Sequence, residues 1–497
     1  MTTLATRTEE RLARYREMVA DWDRFLDAHR TPEPATLRVR SLLHSVEAVR
    51  EALTRQGFSL SSIPGLPDAL RVDQGPHSVA QTLEHWLGHF HIQQCVMSLP
   101  TLALDPLPGE RVLDLCAAPG GKTSHIAERM EDRGCLVAVD PKEKRLRGLM
   151  ANLFRLGHPN ILVIASDGRE IPLGAQFDRV LVDAPCSAEG NVRKQAGRLP
   201  PRTPLFERYI IRLQEGLLRR AIQLTRPGGT IVYSTCTYAP EENEGVVARV
   251  LEDSPVEVEA IPLTLPHEPG ISSWRGIRFP TALQDAWRVY PQHLNSGGLF
   301  MVRLRKLDDR AGNSTPDRNQ GWSPLPAAFP GEEEAAGRQR VARALNLLEG
   351  DYGFGREWLD TMGWMVRAEN LWTHTLGEWP VDAWKVHKGW RVVSAGLRAF
   401  REEGGGLETP SNTFLTRFAS SGEGSETPPG PRWRFLDRRE LAELLSGGAL
   451  SADHLPAGPT VLVFQGQILG RGRVGRGGLK LEIPAAQARR LEALLGD

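Results

Sequence analysis

The chain has 497 residues, with 61 lysines and arginines against 61 aspartates and glutamates, so its formal net charge is zero. At roughly 100–200 residues per domain, this length implies about three domains and excludes a single small fold. The balance of 40% hydrophobic and 25% charged residues is that of a globular chain rather than a disordered one. No apolar run reaches the roughly 18 residues of a membrane span, and the first residues lack the apolar stretch of a secretion signal. Five cysteines in so long a chain make no disulfide framework, so a reducing cytoplasm is the expected setting.

The first segment, 1–100, reads as a mixed α/β domain. Leu12, Tyr15, Met18, Val19, Trp22 and Phe25 recur at helical spacing, and a second helix fits Val46–Gln56. From about residue 108, short apolar runs alternate with longer amphipathic ones. The strand candidates are Arg111–Leu115, Leu136–Asp140, Ile161–Ala165, Arg179–Asp183 and Gly229–Ser234. Between them the spacing predicts helices over Thr123–Met130, Lys142–Leu156, Arg208–Leu224 and Glu241–Glu252. Such alternation predicts βαβ units and a mainly parallel sheet covered on both faces, an α/β Rossmann-like core over 101–306 that closes with a strand at Gly298–Leu304. Residues 307–335 have linker composition. A third region, 336–497, opens with a helix at Arg338–Leu348 and carries strand-like runs at Pro459–Phe464 and Gln467–Gly470. Two Gly/Ser/Glu/Pro stretches, 402–412 and 419–432, are expected as loops.

The strongest local signal is Val112-Leu-Asp-Leu-Cys-Ala-Ala-Pro-Gly-Gly-Lys-Thr123. A strand runs into small residues that let a ligand approach the backbone, and the following helix offers free N–H groups. The backbone of Cys116, Ala117, Ala118, Pro119, Gly120, Gly121 and Lys122 is therefore a candidate cofactor cradle. Asp140, at the end of the second strand, has the position of a carboxylate that accepts ribose hydroxyls. Asp167 and Asp183 follow the third and fourth strands on the same edge. A phosphate loop is excluded, because Gly-Lys-Thr at 121–123 would need glycine at position 116, which is Cys116. The G-x-G-x-x-G spacing is absent. The pattern alone leaves a nicotinamide dinucleotide or S-adenosylmethionine open.

Two further motifs lie past strand ends: Val182-Asp-Ala-Pro-Cys-Ser-Ala-Glu-Gly190 and Tyr233-Ser-Thr-Cys-Thr-Tyr-Ala-Pro-Glu-Glu-Asn-Glu244. Each puts a cysteine on the ligand edge of the sheet. One such cysteine would be read as packing; two at neighbouring strand ends, beside several carboxylates, point to thiol chemistry.

These motifs, together with Gly88-His-Phe-His-Ile-Gln-Gln94, Arg288-Val-Tyr-Pro291 and Ser296-Gly-Gly298, resemble the RNA (cytosine-5)-methyltransferases of the NOL/NSUN/RsmF family over about residues 35–305. Glu189-Gly-Asn-Val-Arg-Lys194 and the long C-terminal extension resemble the RsmF-type branch, which acts on 16S ribosomal RNA. The Arg288–Gly298 segment is also similar to relatives that methylate transfer RNA, and a non-catalytic RNA-binding or assembly factor could keep the same fold. The resemblance implies S-adenosylmethionine as cofactor and 5-methylcytosine as product. It implies Cys236 as the nucleophile, Cys186 in resolving a covalent adduct, Asp183 at the polar edge of the base and Lys122 orienting the base or a phosphate. It further implies Asp140 on the ribose, Asp167 on the adenine, and Asp183 bordering the cofactor as well as the base. No metal is implied, and a monomer with no membrane partner is expected. Arg38-Val-Arg-Ser41 departs from the family, which carries Asn where this chain has Arg40.

For the RNA side, Arg193 and Lys194 are candidate phosphate contacts. Eight of the twelve tryptophans lie in the C-terminal part, from residue 322 onwards (Trp322, Trp358, Trp364, Trp372, Trp379, Trp384, Trp390, Trp433), most of them expected as a core. Gly470-Arg-Gly-Arg-Val-Gly-Arg-Gly-Gly-Leu-Lys480 reads as a basic turn in which Arg471, Arg473, Arg476 and Lys480 would meet phosphate. This end of the chain is similar to the PUA-like RNA-binding module of RsmF-type enzymes. Whole-chain neutrality thus averages acidic loops such as Glu332–Glu334 against local basic patches, and it does not exclude an RNA partner.

Overall fold

The computed structural model describes residues 8–194, 199, 203–307, 321–329, 332–380, 391–403, 406–418 and 429–482. The N-terminal part carries an antiparallel sheet of β1 (Thr36–Val39), β2 (Ser59–Ile63), β3 (Leu66–Gln74) and β4 (Phe90–Ile92) in the order β2-β3-β1-β4. The helix Val46–Arg55 lies beside it, capped by the Ser45 hydroxyl, which accepts from the Ala48 N–H. The first helical stretch is not continuous as its spacing suggested. A 3-10 turn, Ala13–Met18, stops at extended Val19, and a helix restarts at Trp22–Arg30 behind the Asp21 cap. Its apolar side chains still meet: Tyr15 and Phe25 pack on Tyr238 and Tyr290 of the core.

The central sheet is built from β5 (Arg111–Asp114), β6 (Cys135–Val139), β7 (Ile161–Ala165), β8 (Phe177–Asp183) and β9 (Thr225–Thr235). These five are parallel, in the order β7-β6-β5-β8-β9. Strand Leu299–Lys306 adds antiparallel to β9, and Trp287–Val289 adds to that strand. Both faces are covered. Leu113, Val137 and Val139 enter one core, while Val112, Leu136 and Ala138 enter the other. This is why the strands read as unbroken apolar runs. Each fully buried Val or Leu contributes about 1.5–3 kcal/mol. The helix Glu143–Leu156 ends at Gly157, whose φ of +71° closes it in the left-handed conformation.

The far edge of this sheet was not foreseen. Strand Arg391–Ala395, from beyond the linker, pairs antiparallel with β7. The division at 306 therefore does not separate the sheet from the C-terminal region. Val392 and Ala395 belong to the same buried cluster as Leu162 and Ile164. The edge strand is short and mixed in polarity, so only the partner shows where it belongs.

The C-terminal region holds the helix Glu334–Gly350 and an antiparallel sheet of Met362–Arg367, Asn370–Thr375, Leu397–Glu403 and Gly406–Pro410. A second sheet comprises Trp433–Leu436, Gly458–Phe464, Gln467–Gly475 and Gly478–Leu481. The stretch 402–412, expected as a loop, contains the last strand of the first sheet. The helix Arg438–Leu445, which the sequence reading passed over, starts at a capping box made by Asp437 and Glu440. The stretch 419–428, with Trp384 and Trp390, lies outside the described residues. Trp322, Trp364, Trp372, Trp379 and Trp433 are buried, and Trp358 packs against Phe354 and Phe418.

Candidate active site

Strand order reverses between β5 and β8, so their carboxyl ends splay apart and open a crevice. A cleft of about 620 Å³ lies there, walled by residues of the 116–122 loop, by Asp183, Cys186, Asn191 and Cys236, and by His91 to Gln94 from the N-terminal part. Gly120, with φ +104°, turns the chain from the loop into helix Gly121–Arg129. A Cβ on Gly120 would stand 2.9 Å from the Leu149 side chain, so the close approach of two helices requires glycine there.

The two cysteines of the separate motifs meet at this edge. Cys186 Sγ and Cys236 Sγ are 3.3 Å apart as free thiols, well beyond the roughly 2.05 Å of a disulfide. The hydrogen bond to Cys236, together with burial, pushes the Cys186 thiol well above its ordinary range. Asn191 Nδ2 donates to Cys236 Sγ at 3.1 Å. Opposite them, Lys122 Nζ donates to Asp183 Oδ2 at 2.8 Å, and Ser234 Oγ donates to Asp183 Oδ1 at 2.9 Å. Asp114 sits below, fully buried. Burial raises its carboxyl to about 7 despite the Thr123 hydroxyl, which donates to it at 2.8 Å. Cys116 is buried, and burial with Asp114 and Asp183 nearby pushes its thiol far up, as suits a lining residue.

The other expected carboxylates stand apart from the open cleft. Asp140 has no exposed surface; Oδ1 accepts the Lys142 N–H at 3.0 Å, and the Arg145 guanidinium covers Oδ2 at 3.1 Å. Asp167 is turned to Arg169, whose backbone N–H and guanidinium engage it; these hydrogen bonds hold its carboxyl below the usual range.

Three candidate phosphate contacts need correction. Arg193 is buried and donates to the carbonyls of Thr31, Pro32 and Ser296 and to Asn295 Oδ1 at 2.8 Å, so its donors are spent inside the protein. Arg471 and Arg473 both pair with Glu482, at 2.6 and 2.5 Å. That acid, two residues beyond Lys480, offsets one of the two positive charges that strand Gln467–Gly475 carries. Lys194, Arg476 and Lys480 are exposed, and Lys194 stands at the cleft. Arg288 is likewise structural, buried against Glu244 and the Tyr238 carbonyl. The residues that sequence reasoning missed are Asn191, Ser234, Asp114 and Arg145. Asn191 and Ser234 lay inside quoted motifs, but nothing in their spacing shows that the loops fold onto each other.

A family profile described as 16S rRNA methyltransferase RsmB/F matches residues 101–305, and one described as a RsmF/B-like ferredoxin-like domain matches residues 13–79. Ribosomal RNA small subunit methyltransferase F of Escherichia coli O9:H4 (strain HS) is 33% identical over 368 residues, covering 72% of this chain and 72% of that protein. The chain belongs to the RNA (cytosine-5)-methyltransferase family. Another member, the 28S rRNA (cytosine(4447)-C(5))-methyltransferase of Homo sapiens, is 33% identical over 332 residues, 64% of this chain and 40% of its own length. This chain thus spans less than half of the human member. Among solved structures, a methyltransferase homolog protein from Pyrococcus horikoshii is 35% identical, covers 57% of this chain and 90% of its own, and superposes with a TM-score of 0.52. NSun6 from Pyrococcus horikoshii with SFG is 25% identical, covers 58% and 94%, and has a TM-score of 0.51. The family assignment agrees with the α/β core and removes the dinucleotide alternative. Among the described residues, no helix is long and apolar enough to cross a membrane.

Proposed function

We propose that this protein is an S-adenosylmethionine-dependent methyltransferase that forms 5-methylcytosine in 16S ribosomal RNA through a covalent cysteine–cytosine adduct. The observation that carries the reading is the sulfur pair, Cys186 and Cys236, 3.3 Å apart in a cleft that also holds the Lys122–Asp183 pair. Family membership and the small-subunit name of the Escherichia coli relative favour ribosomal over transfer RNA.

Carbon 5 of cytosine is a poor nucleophile. Addition of the Cys236 thiolate to carbon 6 makes the ring enamine-like and carbon 5 reactive. Asp183 faces the polar edge of the base, and Lys122, hydrogen-bonded to it, offsets the negative charge that the ring acquires. Loss of the carbon 5 proton to a base then lets Cys236 leave as thiolate, and Cys186, beside it, helps to resolve the adduct. S-adenosylmethionine, when bound, supplies the electrophilic methyl group. The residues fit such a cofactor: the 116–122 backbone borders the cleft, and Asp140, ion-paired through Oδ2 with Arg145, would accept ribose hydroxyls in competition with that guanidinium. Asp167 would meet the adenine only in competition with Arg169. The base must leave its stack to enter, so a flipped or single-stranded cytosine is the substrate. Lys194, at the cleft, and Arg476 and Lys480, on the C-terminal region, are the charges for phosphate.

The test is bisulfite mapping of RNA from cells with and without the protein, repeated with Cys236→Ala. A cytosine in 16S RNA should lose its methyl group in both. Loss confined to transfer RNA moves the substrate, and unchanged methylation in Cys236→Ala refutes the mechanism. Cys186→Ala should accumulate a protein–RNA adduct that resists denaturant; an adduct that persists without Cys236 would reverse the two roles.

A further inference from the structure

We infer that Asn191 is a positioning residue for the nucleophile, its side-chain amide holding the Cys236 sulfur by donating a hydrogen bond to it. The inference deepens the methyl-transfer reading and borrows from it only the consequence for turnover. A carboxamide nitrogen can donate and cannot accept, so at 3.1 Å the sulfur must offer a lone pair to Asn191 Nδ2. Cys186 keeps its proton, because the hydrogen bond to Cys236 and burial both favour the thiol. Its S–H is then a second donor facing the same sulfur, at 3.3 Å. Two converging donors suit a sulfur that carries negative charge, both before it adds to carbon 6 and as it departs. As a thioether in the adduct, the sulfur is a weak acceptor, so the bond acts on the free thiolate.

The loop that carries Asn191 is strapped to the loop that carries Cys236. Ala188 turns the chain with φ +57°. The Gly190 N–H donates to the Cys236 carbonyl at 2.8 Å, and the Gly190 carbonyl accepts from the Gly298 N–H at 2.9 Å. A Cβ on Gly190 would stand 2.6 Å from the Gly298 backbone, so this crossing admits no side chain. Glu189 is tied to the Tyr15 hydroxyl and to Thr237 Oγ1. Ser187 Oγ and Thr237 Oγ1 are bonded at 2.7 Å. The loop that carries the amide is therefore fixed relative to the Cys236 loop by backbone and side-chain contacts.

The experiment is iodoacetamide labelling of Cys236 across pH 5–10, read by peptide mass spectrometry, with full-length protein and neither RNA nor cofactor present. Asn191→Ala should move the labelling midpoint up by about one pH unit, a roughly tenfold loss of thiolate at fixed pH, since a hydrogen bond to a charged group is lost. Asn191→Asp keeps the shape and removes the donor, and it should move the midpoint at least as far. In turnover both should lower kcat with KM little changed. Unchanged midpoints in both variants overturn the inference, as does an Asn191→Asp protein that labels like wild type, which would make the role one of packing. If the midpoints shift while wild type methylates no RNA, the proposed function fails and the positioning role stands.

Discussion

Replacing Asp132 with alanine removes a carboxylate that ties three distant stretches together. Its Oδ2 pairs with Arg40 Nη2 at 2.9 Å from the end of the N-terminal sheet, and with Arg417 Nη2 at 3.1 Å from the C-terminal helix Asn412–Phe418. Its Oδ1 accepts from His158 Nδ1 at 2.6 Å within the core. The Asp132 side chain is 6% exposed and that of Arg40 4%. Burial alone would raise the Asp132 carboxyl, but His158, Arg40 and Arg417 outweigh it and hold the group well below the usual range. Burial lowers His158 in turn, against the pull of Asp132, which raises it. Alanine leaves Arg40 buried without its acid. Breaking such a buried pair costs about 3–5 kcal/mol. Urea unfolding followed by tryptophan fluorescence should show that loss at pH 7, with earlier proteolysis of the C-terminal region. The sign of the pH dependence follows from the depressed carboxyl. Its contribution is complete above the ordinary aspartate range and is lost as pH falls below it, so the gap between wild type and variant should close in acid. A loss under about 1 kcal/mol, or a gap independent of pH, refutes the picture of a charged junction.

Lys122→Met should lower kcat about a hundredfold with the fold intact, because it removes the donor beside Asp183; single-turnover methylation reads it. Asp114, raised to about 7 by burial, has the opposite linkage to Asp132: its contribution is complete below the ordinary aspartate range and is lost as pH rises towards 7, by up to about 4 kcal/mol. Asp114→Asn should flatten the stability profile between about pH 4 and 7, as measured by urea midpoints. Arg193→Ala should destabilise the protein and leave the salt dependence of RNA binding unchanged. Arg476→Ala should do the reverse, lowering the slope of log affinity against log salt by about 1.

The core of the fold was legible because its strands bury both faces and so read as apolar runs between helices of regular period. Ile161–Ala165 was bounded to the residue, and Glu143–Leu156 to within one. The regions outside the core were less legible. Arg391–Ala395 is too short and mixed to declare its partner, and the strand at Gly406–Pro410 hides in loop composition. Charge is hard to read where it is already partnered: Arg193, Arg471 and Arg473 look like phosphate ligands in a string of letters, and their acceptors lie on other segments or just beyond the motif.

By itself, the sequence determined the family, the parallel core and the two cysteine motifs, since strand period and short-range spacing are local properties that survive in one dimension. Only the tertiary structure decided which side chains face one another. The two sulfurs come from residues 50 positions apart, Asn191 reaches Cys236 only because its loop folds back over a neighbouring strand end, and Asp132 joins partners from three parts of the chain. Hydrogen bonds and ion pairs act over about 3 Å, and the distance between residues in sequence sets no such limit.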